Sequence, residues 1–187
     1  MNVILASQSP RRKELLGLLN IPFTVCVADI DETPDPSLSA AEDVARLSRL
    51  KAAAIPKNAD DLIIAADTIV VFDGRLLGKP KDAQDAKAML KMLSGNVHQV
   101  MTGMTVLYKN KQISHTEITQ VSFRELTDLE IDAYIQSGDP LDKAGSYGIQ
   151  SGGAVFVNEI HGDYFNVVGL PVCKLSQILK EIMEETP

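Results

Sequence analysis

Arg11, Arg12 and Lys13 follow directly on a Ser-Pro pair in "LASQSPRRKELLGLLN" (5–20), a placement that calls for a chemical reason. Ser9 suits a helix N-cap and Pro10 the first helical position, so three cations crowd the opening turn of a helix. The macrodipole makes that end positive and repels each cation by roughly 0.3–1 kcal/mol. A polyanion would reverse the sign, because unpaired N–H groups and arginine forks together suit phosphate. The competing reading is a solvated cationic face with one member paired to Glu14. No GxxxxGK[ST] stretch occurs, so P-loop chemistry is excluded.

Acidic residues that would complete a phosphate site stand in two places. Asp67 interrupts "LIIAADTIVVF" (62–72), a segment too apolar to hold an ionised carboxylate unless it is paired, metal-bound or at an edge. Ala65 and Ala66 clear space beside it. The plainer alternative is that Asp67-Thr68 bonds a neighbouring loop. "GKPK" (78–81) follows at a hairpin's distance, which can return Lys79 to Asp67. "DIDET" (29–33) sets Asp29, Asp31 and Glu32 at the end of an apolar run, as oxygen ligands for Mg²⁺ or as a solvated loop entry. Lys51 falls in an amphipathic helix, where a lysine is ordinarily on the surface.

Glycines at 138, 145, 148, 152 and 153 surround "DKAGSYGIQSGG" (142–153) and suggest backbone that approaches something closely. Gln150 carries both a donor and an acceptor, as reading a base edge requires. A flexible loop is the alternative, opposed by Tyr147, Ile149 and the apolar "AVFV" beyond. His98, His115 and His161 have no mutual metal spacing and read as surface or strand positions. With no GxSxG, HExxH or familiar Cys–His pattern, covalent catalysis has no candidate.

The elements that must position these residues interleave along the chain. Strands are expected at 2–6, 23–30 and 62–72, and helices at 10–19 and from Ser39 to about Ile55, the latter with a Ser39–Glu42 capping box. An Asp-Gly hairpin turn follows at 73–74, then an amphipathic helix within 79–95 closed by Gly95. Residues 97–108 and 111–123 read as a long hairpin turned at Lys109-Asn110-Lys111, followed by a helix at 127–137. Short strands are expected at 154–160 and 164–168, before a terminal helix from Pro171. The hairpin demands antiparallel pairing, so the expected class is α/β (α+β): an elongated mixed sheet flanked by helices, in two lobes.

Composition bounds the function. The 187 residues suit one domain, 1–187, or one core divided by a cleft. With 25 acidic against 18 basic residues and a formal charge of −7, generic nucleic-acid or anionic-membrane binding is disfavoured. The two cysteines, Cys26 and Cys173, form no CxxC and read as reduced thiols. No secretory pattern is visible, and the longest apolar stretch falls short of the ~20 residues a membrane helix needs. The expected location is the cytoplasm.

Taken together, "LASQSPRRKELL", "DIDE", "AADT", "LGKPKD", "LSGNVHQVMTG", "DKAGSYGIQ" and "GDYFNVVGLP" resemble the Maf family of nucleoside triphosphate pyrophosphatases, in order and over nearly the whole chain. The resemblance implies a deep nucleotide-binding cleft between two lobes, a homodimer, and hydrolysis of a nucleoside triphosphate to monophosphate and pyrophosphate with Mg²⁺ or Mn²⁺. The paired arginines and the "DKAGSYGIQ" loop resemble the branch acting on dTTP, UTP and modified pyrimidine nucleotides. Carried onto this chain, it implies Arg11, Arg12, Lys79, Glu32 and Asp67 as catalytic, with Glu32 and Asp67 holding the metal and Asp67 accepting the proton. It implies Ser7, Ser9, Lys13, Lys51, Thr68, Lys81, Lys143, Tyr147 and Gln150 as substrate-binding. A nucleotide-binding regulator of cell division with little turnover is the alternative; it would not need the carboxylate pair.

Overall fold

The computed structural model describes residues 1–27 and 29–184. Among these, seven strands form one mixed sheet in the order β2-β1-β3-β5-β6-β7, with β4 on β3. In chain order they are β1 (Asn2–Leu5), β2 (Phe23–Val25), β3 (Asp61–Phe72), β4 (Arg75–Leu77), β5 (Val97–Tyr108), β6 (Lys111–Phe123) and β7 (Val157–His161). The helices are α1 (Pro10–Gly17), α2 (Ala40–Ala53), α3 (Ala83–Leu93), α4 (Asp128–Gln136), α5 (Tyr164–Val168) and α6 (Val172–Glu184). β1 pairs in parallel with β2 and β3, whereas β3–β4 and β6–β7 are antiparallel, as a mixed sheet requires. No helix of the described residues is long and apolar enough to cross a membrane.

The chain divides into two compact units. The first contains residues 1–67, 102–117 and 169–187, hence β1, β2, α1, α2 and α6. Its core joins Ala6, Ala52, Ile63, Ala65 and Leu107. Gly103 of β5 is indispensable to that packing: a Cβ there would stand 2.3 Å from the Val44 carbonyl oxygen of α2. The second contains 68–101 and 118–168, hence β4, α3, α4, β7 and α5. Its core gathers Leu90, Leu93, Val121, Phe123, Ile131, Tyr134, Tyr147 and Phe156.

Several element boundaries differ from expectation for identifiable reasons. α1 stops at Gly17 and buries only Leu15 and Leu16, leaving Leu18 exposed. The expected strand 23–30 includes Ala28, outside the described residues; β2 itself is the short Phe23–Val25. Residues 152–156 coil as a 3-10 turn before β7. The expected strand at 164–168 is α5, a correction that Asp163 explains: its Oδ1 accepts from the Phe165 N–H at 2.8 Å and caps a helical turn against the β-propensity of "YFNVV". Inside that turn Asn166 is buried and donates to the Val100 carbonyl (3.0 Å) and Thr119 Oγ1 (2.8 Å).

Candidate active site

In the first unit, polar residues collect at the carboxyl ends of parallel strands, where open α/β sheets receive ligands. β1 and β3 run in register with Leu5 beside Ile64, and the Ala6 N–H donates to the Ile64 carbonyl at 2.8 Å. Ser9 caps α1, its Oγ accepting from the Arg12 N–H at 3.4 Å, and Pro10 opens the helix. The buried Ser7 Oγ accepts from the Ser9 N–H (3.2 Å) and from an Arg12 Nη1 hydrogen (3.4 Å). Both hydroxyls act as acceptors here, so each keeps its own hydrogen to donate.

The first turn of α1 contains no acidic residue. Arg12 is half-buried and turned inward, its Nε donating to the Gly169 carbonyl at 2.8 Å. Burial lowers its pKa from the ordinary guanidinium value; Asp67 opposes the shift, Arg11 adds to it and Glu32 opposes it. Arg12 therefore feels both carboxylates. Arg11 is half-buried beside it and Lys13 is exposed.

Lys51 is the correction of most consequence. Its ammonium stands 2.7 Å from Asp67 Oδ1 and 3.0 Å from Glu32 Oε2, with only 13% of its side chain exposed. The spacing explains why: Lys51 follows Leu47 by four and Val44 by seven, on the buried stripe of α2. α2 also holds the loop that carries Glu32. Arg46 donates to the Thr33 carbonyl at 2.9 Å, and the buried Asp43, paired to Arg46, accepts from the Asp35 N–H at 3.3 Å. Asp31 instead turns back onto the Thr33 N–H at 2.9 Å.

Thr68, Lys79, Lys81, Lys143, Tyr147 and Gln150 belong to the second unit. The β3–β4 register pairs Val70 with Leu77 and ends there, and the next carbonyl, that of Gly78, accepts from the Gly145 N–H at 3.1 Å. Thr68 is half-buried, and Lys79 and Lys81 are exposed. Lys143 is engaged within its own loop, donating to the Asp139 carbonyl (2.6 Å), Asp139 Oδ1 (3.0 Å) and Asp142 Oδ1 (2.7 Å). Asp139 also accepts from Tyr134 (2.5 Å) and Ser151 (2.6 Å), and Tyr134 Oη accepts in turn from the Gly148 N–H at 3.0 Å. The Tyr147 ring is buried, its hydroxyl 2.8 Å from Nε2 of the equally buried His98. Gln150 is exposed.

These contacts identify what four of the five loop glycines approach: the protein itself. A Cβ on Gly145 would strike Val70 at 2.8 Å, one on Gly148 would strike Ser151 at 2.3 Å and Lys143 at 2.6 Å, and one on Gly152 would strike Tyr134 at 2.9 Å. Gly145 also has φ +68°, which side chains rarely adopt. The loop is ordered by its own packing, and it leaves Gln150 facing outward.

The Maf-like protein family matches residues 2–182. The chain belongs to that family. A protein named dTTP/UTP pyrophosphatase from Bacillus cytotoxicus is 52% identical over 179 residues, covering 95% of this chain and 94% of that one. One of the same name from Bacillus cereus strain AH187 is 49% identical over 180 residues, covering 96% and 94%. A solved HAM1 protein from Coxiella burnetii aligns at 14% identity with a TM-score of 0.49, over 97% of this chain and 99% of that one.

For this member of the Maf-like family, the donor set suits a hard divalent cation. Asp67 and Glu32 direct one oxygen each at a single cationic point, and Mg²⁺ is commonly held by one or two carboxylates with substrate phosphates and water. Among the described residues no group of three or more His, Cys, Asp or Glu side chains could hold an ion alone. The residues unremarked in the sequence are Asp43, Arg46, Asp139 and the Gly169 carbonyl. Only Asp43 and Arg46 left a trace, as an i,i+3 charge pair on α2.

Proposed function

We propose that this chain is a nucleoside triphosphate pyrophosphatase that hydrolyses dTTP and UTP, and modified pyrimidine nucleotides, to the monophosphate and pyrophosphate. The observation that carries the reading is the meeting of Asp67, Glu32 and Lys51 beside the Arg12 end of a cation-rich helix start. Relatives about half identical over nearly their whole length and named dTTP/UTP pyrophosphatase support the choice of substrate.

In this reading the triphosphate binds at the start of α1, whose own first turn contains no acidic residue. Ser7 and Ser9 donate their hydroxyl hydrogens to phosphate oxygens, while Arg11 and Arg12, with Lys13, Lys51, Lys79 and Lys81, offset charge that grows on the departing pyrophosphate. Water attacks the α-phosphorus, the bond from that phosphorus to the bridging oxygen breaks, and the electron pair leaves with pyrophosphate. Asp67 accepts the water's proton, with Thr68 next to it setting its position. Mg²⁺ or Mn²⁺, held by Asp67 and Glu32, would supply Lewis-acid polarisation of the phosphate. Gln150 reads the base edge. Lys143 and Tyr147 serve the substrate through the loop they order. By resemblance to the family, the protein acts as a cytoplasmic homodimer.

The test is product analysis with dTTP, UTP, CTP, GTP, ATP and 7-methyl-GTP, in Mg²⁺, Mn²⁺ or EDTA, with pyrophosphate and orthophosphate quantified separately. Pyrophosphate and monophosphate from dTTP and UTP, lost in EDTA, are expected. Tight nucleotide binding without turnover would overturn the reading in favour of a nucleotide sensor.

A further inference from the structure

Lys51 stands where a cation held by both Asp67 and Glu32 would stand. Its ammonium bonds Asp67 Oδ1 at 2.7 Å and Glu32 Oε2 at 3.0 Å. The Lys51 and Asp67 side chains are each only 13% exposed, so water screens this pair poorly. Arg12 adds a second positive charge that both carboxylates feel. Two carboxylates facing two cations are already balanced, so a divalent ion added to that set finds no net negative charge to attract it.

We propose that Lys51 and the divalent cation are mutually exclusive partners of Asp67 and Glu32, so that the ion binds well only once a triphosphate draws the Lys51 ammonium away. This rests on the functional reading above for the identity of the anion. Lysine suits the exchange: it is a compact charge on a flexible stem, able to trade carboxylate for phosphate without leaving α2, whereas a planar guanidinium is less free to pivot. Linkage makes the effect reciprocal, and whatever factor nucleotide adds to ion affinity, the ion adds to nucleotide affinity. Neither partner alone then assembles the site, and the pair of carboxylates is neutralised at every stage.

The experiment is Mn²⁺ titration, following free Mn²⁺ by electron paramagnetic resonance, with and without the α,β-methylene analogue of dTTP. Wild-type protein should bind Mn²⁺ weakly alone and about tenfold or more tightly with the analogue, within the usual range of coupling between ligands. Lys51→Met and Lys51→Gln should bind Mn²⁺ tightly without the analogue and gain little from it. Lys51→Arg should remain weak alone, and adding Glu32→Gln to Lys51→Met should abolish the gain. Thermal unfolding confirms that each variant is folded. Equal Mn²⁺ affinity of wild-type protein with and without analogue overturns the proposal whatever the variants do. So does Mn²⁺ binding by folded Lys51→Met no tighter than wild type, or indifferent to Glu32. Pyrophosphate release from dTTP by the same wild-type preparation separates the two readings. Turnover with no competition overturns only this proposal. Tightened Mn²⁺ binding in Lys51→Met without turnover of any nucleotide overturns the functional reading and sustains the competition.

Discussion

His98 should give the second unit a stability that depends on pH. The ring is 2% exposed and stacked edge-on between Phe123 and Tyr147; Nε2 meets the Tyr147 hydroxyl, and Nδ1 is buried with no partner among the described residues. Protonation would place a second, unsatisfied N–H and a full charge in that core, and burial accordingly lowers the pKa to about 4 from 6.5. Between those values the unfolded chain binds the proton that the folded chain refuses. Stability is therefore fully present above the unfolded value and falls as pH drops toward the folded one. From pH 8 to pH 5 the loss from this one ring is about 2 kcal/mol. Urea unfolding of wild type and His98→Gln at pH 5, 6, 7 and 8 measures it. The variant's titrating carboxylates are the same and cancel in the difference, and an amide can still reach the Tyr147 hydroxyl. The stability advantage of wild type over the variant should shrink by about 2 kcal/mol on going from pH 8 to pH 5. An advantage constant to within a few tenths would refute the reasoning, because the ring would then titrate alike in both states.

Other perturbations act on separate parts. Asp67→Asn should lower turnover by roughly a hundredfold or more, the scale of a lost general base, while calorimetry still detects the nucleotide; wild-type turnover would remove Asp67 from the chemistry. Gln150→Ala, at an exposed position, should redistribute kcat/KM among dTTP, UTP and CTP without lowering the unfolding temperature, and an unchanged profile would assign base reading to backbone or shape. Gly103→Ala should destabilise by about 3 kcal/mol or leave the protein insoluble, because the added carbon would stand 2.3 Å from backbone rather than from a side chain able to move. An unfolding temperature near that of wild type would show that α2 shifts easily.

Much of the architecture was legible because it follows from local chemistry. The capping box at Ser39–Glu42, the turn at residues 109–110 and the two long strands it joins are encoded in neighbouring residues, and they stand as expected. Segment 164–168 reads as a strand in the sequence because Tyr164, Phe165, Val167 and Val168 have high β-propensity, but the capping aspartate prevails in the fold. Gly145, Gly148, Gly152 and Gly153 do make close approaches, whereas Gly138 has nothing within 4 Å, and a glycine does not announce its neighbour. Val70 and Tyr134 are brought to Gly145 and Gly152 by packing between separate elements of the chain.

That cations crowd a helix start, that Asp67 interrupts an apolar strand and that the chain resembles the Maf family can be read along the chain. These are properties of residue type and spacing. The partners of these residues come from packing. It turned Lys51 from an expected surface lysine into the bridge between Asp67 and Glu32, and spent the Lys143 ammonium and the Tyr147 hydroxyl on the protein's own loop and core. The reason is that a charge's role depends on which opposite charges lie within a few ångströms and how much water separates them. Both quantities are set by strand register and helix packing between residues far apart in the chain.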